Sequence, residues 1–231
     1  MITIFTPTYN RRYIIENDWL DAIVQLPNDS FYNTGISTYV WLITKEKPES
    51  HREHVLLIDA SGCYESRRKN IGNKRVDITQ DARELIVKAY GEYRDEVYRE
   101  TTGEGHELIC KARVLPSISL GYNKIVVESP LVDENGKPII KRGKVQADTS
   151  KRDTENVPLD EDIDEYFERE VIPFNPDAWV DHTKDKVGYE IPFTKTFYEH
   201  KAVEPADDIA DRIKNHEQSL MAKLEKLFRE A

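Results

Sequence analysis

The chain has 231 residues, 39% of them hydrophobic and 33% charged, with a formal net charge of −10. That length suits one large domain, or one domain with an extension, and an aromatic content of 10% excludes wholesale disorder. Non-specific DNA binding rests on cations set against phosphates, so the acid excess counts against it for the chain alone. A local basic strip, or a partner that supplies positive charge, stays open.

No segment approaches the roughly 18 consecutive apolar residues of a membrane span. The opening MITIFTPTYN has neither a basic start nor a sustained apolar run, so it does not read as a signal peptide. Cys63 and Cys110 stand alone, without the tight ligand spacing of a zinc site, and read as free thiols of a reducing cytoplasm.

In chain order, residues 11–26 predict a short helix and then a strand. Tyr13, Ile14, Trp19 and Leu20 give partial helical spacing, Asn17-Asp18 interrupts it, and Ala22 to Leu26 is a buried-strand run closed by Pro27. Phe31-Tyr32-Asn33-Thr34-Gly35 is an aromatic loop, followed by strands over Ser37–Thr44 and Val55–Asp59. Short connections between three strands suggest the tail of an α/β sheet rather than a new all-β domain. Residues 66–75 hold Arg67, Arg68, Lys69, Lys74 and Arg75 around Gly72. Thr79 offers an N-cap to a helix over Asp81–Tyr93, whose apolar face is Leu85, Ile86, Ala89 and Tyr90.

Residues 95–115 show no clear pattern. Lys124–Glu128 predicts a strand stopped by Pro130, and the polar stretch 132–156 reads as a linker. A helix follows over Asp160–Val171, with Ile163, Tyr166, Phe167 and Val171 on one face. Residues 175–200 are aromatic and irregular. The last helix runs from about Pro205 to Arg229, and its apolar positions Ile209, Ile213, Leu220, Leu224 and Leu227 form a coiled-coil-like stripe. The expected fold class is therefore α/β, with a sheet-bearing part over 1–131, a linker over 132–156 and a mostly helical extension over 157–231.

Three places could carry chemistry. Phe31 and Tyr32 sit in a loop at a strand end, where open α/β sheets place ligand contacts. An exposed loop aromatic suits stacking on a base extruded from duplex DNA; the alternative is a pair of rings that caps the sheet core. The cations Arg67, Arg68, Lys69, Lys74 and Arg75 could meet phosphates, or could be a solvated loop facing acidic groups elsewhere. His182, near Asp181, Asp185 and Glu190, lacks any metal-ligand spacing and predicts no metal centre.

The string LPNDSFYNTGISTYVW, preceded by RRYIIENDWLDAIV, closely resembles the modification subunits of type I restriction–modification systems, adenine-N6 DNA methyltransferases. Further stretches match in order: IDA at 58–60, RRKNIGNKR at 67–75, GYNKIVVESPL at 121–131, RDTENVPLDEDIDEYFEREVIP at 152–173 and DAWVDHTKDKVGYEIPFTKTFYE at 177–199. The resemblance covers nearly everything after about residue 11.

It implies the C-terminal part of a Rossmann-like methyltransferase sheet and a C-terminal extension. That family binds S-adenosylmethionine with a Gly-rich loop and grips the flipped adenine with an Asn-Pro-Pro-aromatic loop. Neither is found here: Gly103-Glu104-Gly105 lies in a charged stretch, and Asn175-Pro176-Asp177 is not the second motif. Both lie upstream in the family's order, so an N-terminally truncated or split enzyme is expected, inactive alone and with no cofactor of its own. Residues 1–10 fit the family poorly.

By resemblance, Phe31 stacks on the target adenine, Tyr32 is the second choice, and Asn33, Thr34 and Gly35 shape the loop. The implied partners are DNA, the specificity subunit, a separately encoded N-terminal half and, in the full complex, the restriction subunit. The final helix, through Ile209, Ile213, Leu220, Leu224 and Leu227, would dock on the helical spacers of the specificity subunit; the alternative is a helix folded back on its own domain.

Overall fold

A computed structural model describes residues 8–200 and 204–229; side chains are described from residue 11 on, except those of residue 222 and of 224–229. The poorly matching start, through residue 7, lies outside the described residues. The chain divides into two units, with the boundary between Phe197 and Tyr198.

The first unit opens with α1 (Thr8–Glu16) and β1 (Leu20–Leu26). The turn between them is made by Asp18, a non-glycine residue at φ 55. Next come β2 (Thr38–Ile43), β3 (His54–Gly62), β4 (Glu65–Ile71), β5 (Lys74–Asp77), α2 (Gln80–Glu92), β6 (Glu96–Thr101) and β7 (Glu107–Pro116). Strands β2, β1, β3, β7 and β6 form one sheet in that order. The β1–β3 pair is parallel and the other three pairs are antiparallel. The fold is thus mixed α/β, as the strand pattern predicts.

Both faces of this sheet are covered, and the sequence of β3 shows why it is apolar almost throughout. Val55 and Leu57 point to one face, with Leu20, Ile23 and Phe193. Leu56, Ile58 and Ala60 point to the other, where Ala82, Leu85 and Ala89 of α2 pack. Successive residues of a strand face opposite sides, so a strand buried on both must read as an unbroken hydrophobic run. Helix α2 starts where expected: the Thr79 hydroxyl accepts from the Ala82 N–H. It ends at Tyr93, in the left-handed region at φ 44.

The stretch 95–115, read as unpatterned, is in fact the hairpin β6–β7, and β7 lies inside the sheet. Leu108, Cys110 and Ala112 alternate inward with Ile109, Lys111 and Arg113, a period of two that the charged residues obscure. Gly103-Glu104-Gly105 is the turn of this hairpin, with Gly105 at φ 84. Cys63 and Cys110, distant in sequence, meet in the core as free thiols. The hydrogen bond from the Cys63 side and the burial both push the Cys110 thiol up, so it stays protonated and unreactive.

A second sheet is built around β8 (Gly121–Glu128). A small hairpin of β9 (Ile140–Lys141) and β10 (Lys144–Val145) follows. Then β11 (Asp153–Pro158) pairs along one side of β8. The predicted linker 132–156 therefore holds a hairpin and ends inside a strand. Helix α3 (Ile163–Glu170) is capped by the Asp162 carboxylate and closes this core with Phe167 over Ile125, Val127 and Val157. The other side of β8 is taken by β12 (Trp179–Val180) and β13 (Lys186–Tyr189), with the short α4 (Phe193–Thr196) after them. A sheet built from both sides of residue 131 leaves no structural break there. The second unit carries α5 (Ala206–Arg229). No described helix is long and apolar enough to cross a membrane.

Candidate nucleic-acid interface

Pro27 ends β1, and Asp29 then reverses the chain at φ 57, a conformation that Asp tolerates better than bulkier residues. The Ser30 hydroxyl donates to the Pro27 carbonyl at 2.7 Å, and the Ser37 hydroxyl donates to the Asn28 side chain at 2.9 Å. A bridge between Phe31 and Thr34 closes the tip. Thr34 accepts from the Ile36 N–H at 3.3 Å. The loop is thus a built turn with its own hydrogen bonds. Phe31 is half-buried in it, whereas Tyr32 is 57% exposed.

The predicted basic strip is the β4–β5 hairpin, and the structure brings it against this loop. The Asn73 N–H donates to the Tyr32 carbonyl at 3.0 Å, and the Arg75 N–H donates to the Asp29 carbonyl at 2.9 Å. Gly72, at φ 59, forms the hairpin corner; a Cβ there would lie 2.7 Å from the Tyr32 carbonyl oxygen. Gly72→Ala is therefore expected to cost about 1–2 kcal/mol for the left-handed backbone and to push the hairpin off the loop. Hydrogen exchange checks it: the Asn73 amide should exchange faster than in the wild type, while the β3 amides should not.

The five cations divide into two groups. Arg67 and Lys74 both pair with Asp77, and together they hold its carboxyl below the usual range, Lys74 most strongly. Arg68, Lys69 and Arg75 are exposed and have no ion pair among the described residues. Lys74 also stands 5.8 Å from the centre of the Tyr32 ring. Sequence reasoning missed Asp29 and Asp77, the residues that hold the loop to the hairpin and neutralise two of its cations. The turn-forming pair Asn28-Asp29 was the available signal.

The other end of β1 carries a different polar cluster. Asp21, 2% exposed, lies 2.9 Å from the His51 Nδ1 and accepts from the Tyr90 hydroxyl at 2.5 Å. The Tyr93 hydroxyl donates to the Asp21 carbonyl at 3.2 Å, and its ring stacks on His51 at 3.5 Å. Burial, then the Asp21 carboxylate, pushes the Tyr90 hydroxyl up to about 12 and raises that of Tyr93 as well.

In the second sheet, Glu128 is buried between Arg152 at 2.8 Å and Lys184 at 2.7 Å. Burial raises its carboxyl, but the two cations outweigh this and hold it below the usual value. His182 lies 3.0 Å from Asp185 and 3.5 Å from Asp164, and Asp185 raises its pKa. Among the described residues, no group of three or more His, Cys, Asp or Glu side chains is arranged to hold a metal ion.

The C-terminal stripe is placed in part. Ile209, Ile213 and Leu220 are exposed on α5, together with Met221. Leu224 and Leu227 lie outside the residues whose side chains are described.

Residues 7–111 match the N-6 DNA Methylase family. Among curated proteins, the type I restriction enzyme MjaIX methylase subunit of Methanocaldococcus jannaschii is 44% identical over 63 residues, covering 26% of this chain and 11% of the relative. The MjaVII methylase subunit of the same organism is 35% identical over 90 residues, covering 37% of this chain and 14% of the relative. The MpnII methylase subunit of Mycoplasma pneumoniae is 28% identical over 60 residues, covering 26% and 11%. The matches thus span only 11–14% of the length of these relatives. A solved type I restriction–modification methyltransferase subunit from Streptococcus thermophilus aligns over 48% of this chain and 19% of its own, at 22% identity and a TM-score of 0.37.

Proposed function

We propose that this chain, which through residues 7–111 belongs to the N-6 DNA methylase family, is part of the modification subunit of a type I restriction–modification system. It supplies one wall of an adenine-N6 methyltransferase site and does not methylate alone. The observation that carries this reading is the aromatic loop latched to the basic hairpin. Phe31 and Tyr32 stack on an extruded adenine, Asn33, Thr34 and Gly35 shape their loop, and Arg68, Lys69 and Arg75 meet the DNA backbone beside it. Arg67 and Lys74 do less, because Asp77 already neutralises them. In this reading the five-stranded sheet is the end of a Rossmann-like methyltransferase sheet.

S-adenosylmethionine does not fit the residues present. A donor site of this kind needs a Gly-rich turn between a strand and a helix, where backbone can approach the ligand. The Gly103-Glu104-Gly105 segment instead joins two antiparallel strands. The donor site belongs to a separately encoded N-terminal half. DNA is the substrate; the specificity subunit and, in the full complex, the restriction subunit are the further partners. In the cytoplasm these would assemble around this chain, with the extension over 157–231 serving subunit contacts.

A second reading is a non-catalytic interaction module that docks on the specificity subunit. The exposed side chains Ile209, Ile213 and Leu220 favour it, as does the continuation of the stripe at positions 224 and 227.

Calorimetry separates the two. The purified chain should give no heat with S-adenosylmethionine, and heat should appear once the N-terminal half is added. Heat from the chain alone would show that the donor site has been misplaced. No heat from the mixture would leave the docking module.

A further inference from the structure

The apolar positions of α5 read the same from either end. Ala206, Ile209 and Ile213 occupy its first half, and Leu220, Leu224 and Leu227 its second, with matching gaps. A point between positions 216 and 217 relates them: 213 mirrors 220, 209 mirrors 224 and 206 mirrors 227. In heptad terms the first three sit at a, d and a, and the last three at d, a and d. The phase changes at His216-Glu217, as at a coiled-coil stutter. When two helices pack antiparallel, an a position of one faces a d position of the other. Every apolar position of α5 thus finds an apolar position in a reversed copy of itself.

We propose that α5 pairs antiparallel with the α5 of a second copy of this chain, about a two-fold axis between positions 216 and 217. Such an interface is isologous: one patch serves both sides. Charge sets the direction. The first half of the helix carries Asp207, Asp208 and Asp211, with Arg212 and Lys214; the second carries Lys223, Lys226 and Arg229, with Glu217 and Glu225.

Antiparallel packing lays the acid-rich half along the base-rich half and opposes the two helix dipoles, whereas parallel packing sets like against like. The one unfavourable approach, Arg212 toward the partner's Lys223, is relieved because Arg212 already pairs with Glu204 at 2.5 Å. At the axis, His216 faces the partner's Glu217. A polar layer among apolar ones fixes register at some cost in affinity. This inference does not rest on the methyltransferase reading, since it uses α5 alone.

Sedimentation of the full chain at about 100 µM tests it, a concentration at which even a micromolar dimer is well populated. The mass should be near twice the 26.9 kDa of one chain, and Ile213→Asp should return it to one chain. A cross-link reads the direction without depending on that variant. Chains carrying Ile213→Cys, mixed with chains carrying Leu220→Cys and oxidised, should form the mixed dimer, and neither should cross-link alone. Each variant cross-linking by itself would mean a parallel pair and would overturn the proposal. So would a wild-type chain of single mass, including one that pairs only when a specificity-subunit helix is added.

Discussion

Replacing Phe31 with Ala in the reconstituted methyltransferase is expected to lower turnover by about 5- to 150-fold. That is the kinetic equivalent of the roughly 1–3 kcal/mol that an aromatic contributes by stacking on a base. The same change at Tyr32 should have the smaller effect if the resemblance assigns the stacking ring correctly. The structure makes the comparison informative, because the two rings differ in setting. Tyr32 is 57% exposed with Lys74 beside it, whereas Phe31 is half-buried and bridged to Thr34.

Phe31→Trp keeps a stacking surface and should retain most of the activity, which distinguishes stacking from a loop that has merely loosened. DNA binding should change little in any of these variants, because the phosphate contacts lie on the hairpin. Unchanged turnover in Phe31→Ala with a sharp loss in Tyr32→Ala would transfer the role to Tyr32. Unchanged turnover in both would remove the loop from the base pocket.

The elements that could be read in the sequence share a property: their patterns are uninterrupted. Strand β3 is apolar throughout because both of its faces are buried, and α2 announces itself with Thr79 and a regular apolar face. Strand β7 carries an equally regular pattern, but its outward positions include Glu107, Lys111 and Arg113. Charge there masked a strand that lies inside the sheet. Strand β11 was hidden in another way, since in DTENVP only Val157 is fully buried. Its place is fixed by pairing with β8, a long-range contact that no local pattern encodes.

For the site, residue types and loop positions were legible, but their meeting was not. Tyr32 and Asn73 are joined by backbone hydrogen bonding, to which side-chain identity contributes almost nothing beyond Gly72. Asp21 shows the same limit. In the sequence it is an acidic residue inside an apolar run, with nothing to say that His51, Tyr90 and Tyr93 would satisfy it.

That buried aspartate carries the largest stability effect expected outside the hydrophobic core. Asp21→Ala leaves the Tyr90 hydroxyl and the His51 ring nitrogen without their acceptor, in a place that water does not easily reach. An unmade buried hydrogen bond costs about 1–3 kcal/mol, so the variant should lose about 3 kcal/mol in urea unfolding. Asp21→Asn keeps an acceptor and should lose about 1 kcal/mol. A double-mutant cycle with Tyr90→Phe should give a coupling of at least about 0.5 kcal/mol, since the two groups touch.

The pH dependence follows from Tyr90, whose folded value of about 12 lies above the ordinary value of 10.0. The folded chain then holds that proton more tightly than the unfolded one. The resulting stability is complete below pH 10 and is lost as pH rises toward 12. Tyr90→Phe should remove this part of the alkaline loss, and Asp21→Ala should shrink it, since the carboxylate supplies part of the shift. An Asp21→Ala chain as stable as wild type, with an unaltered alkaline limb, would show that water solvates the cluster. The position of Asp21 ties this to the loop. It anchors the start of β1, and the aromatic loop leaves from the end of the same strand. Loosening the anchor while the hairpin latch stays intact should therefore lower stability well before it lowers turnover.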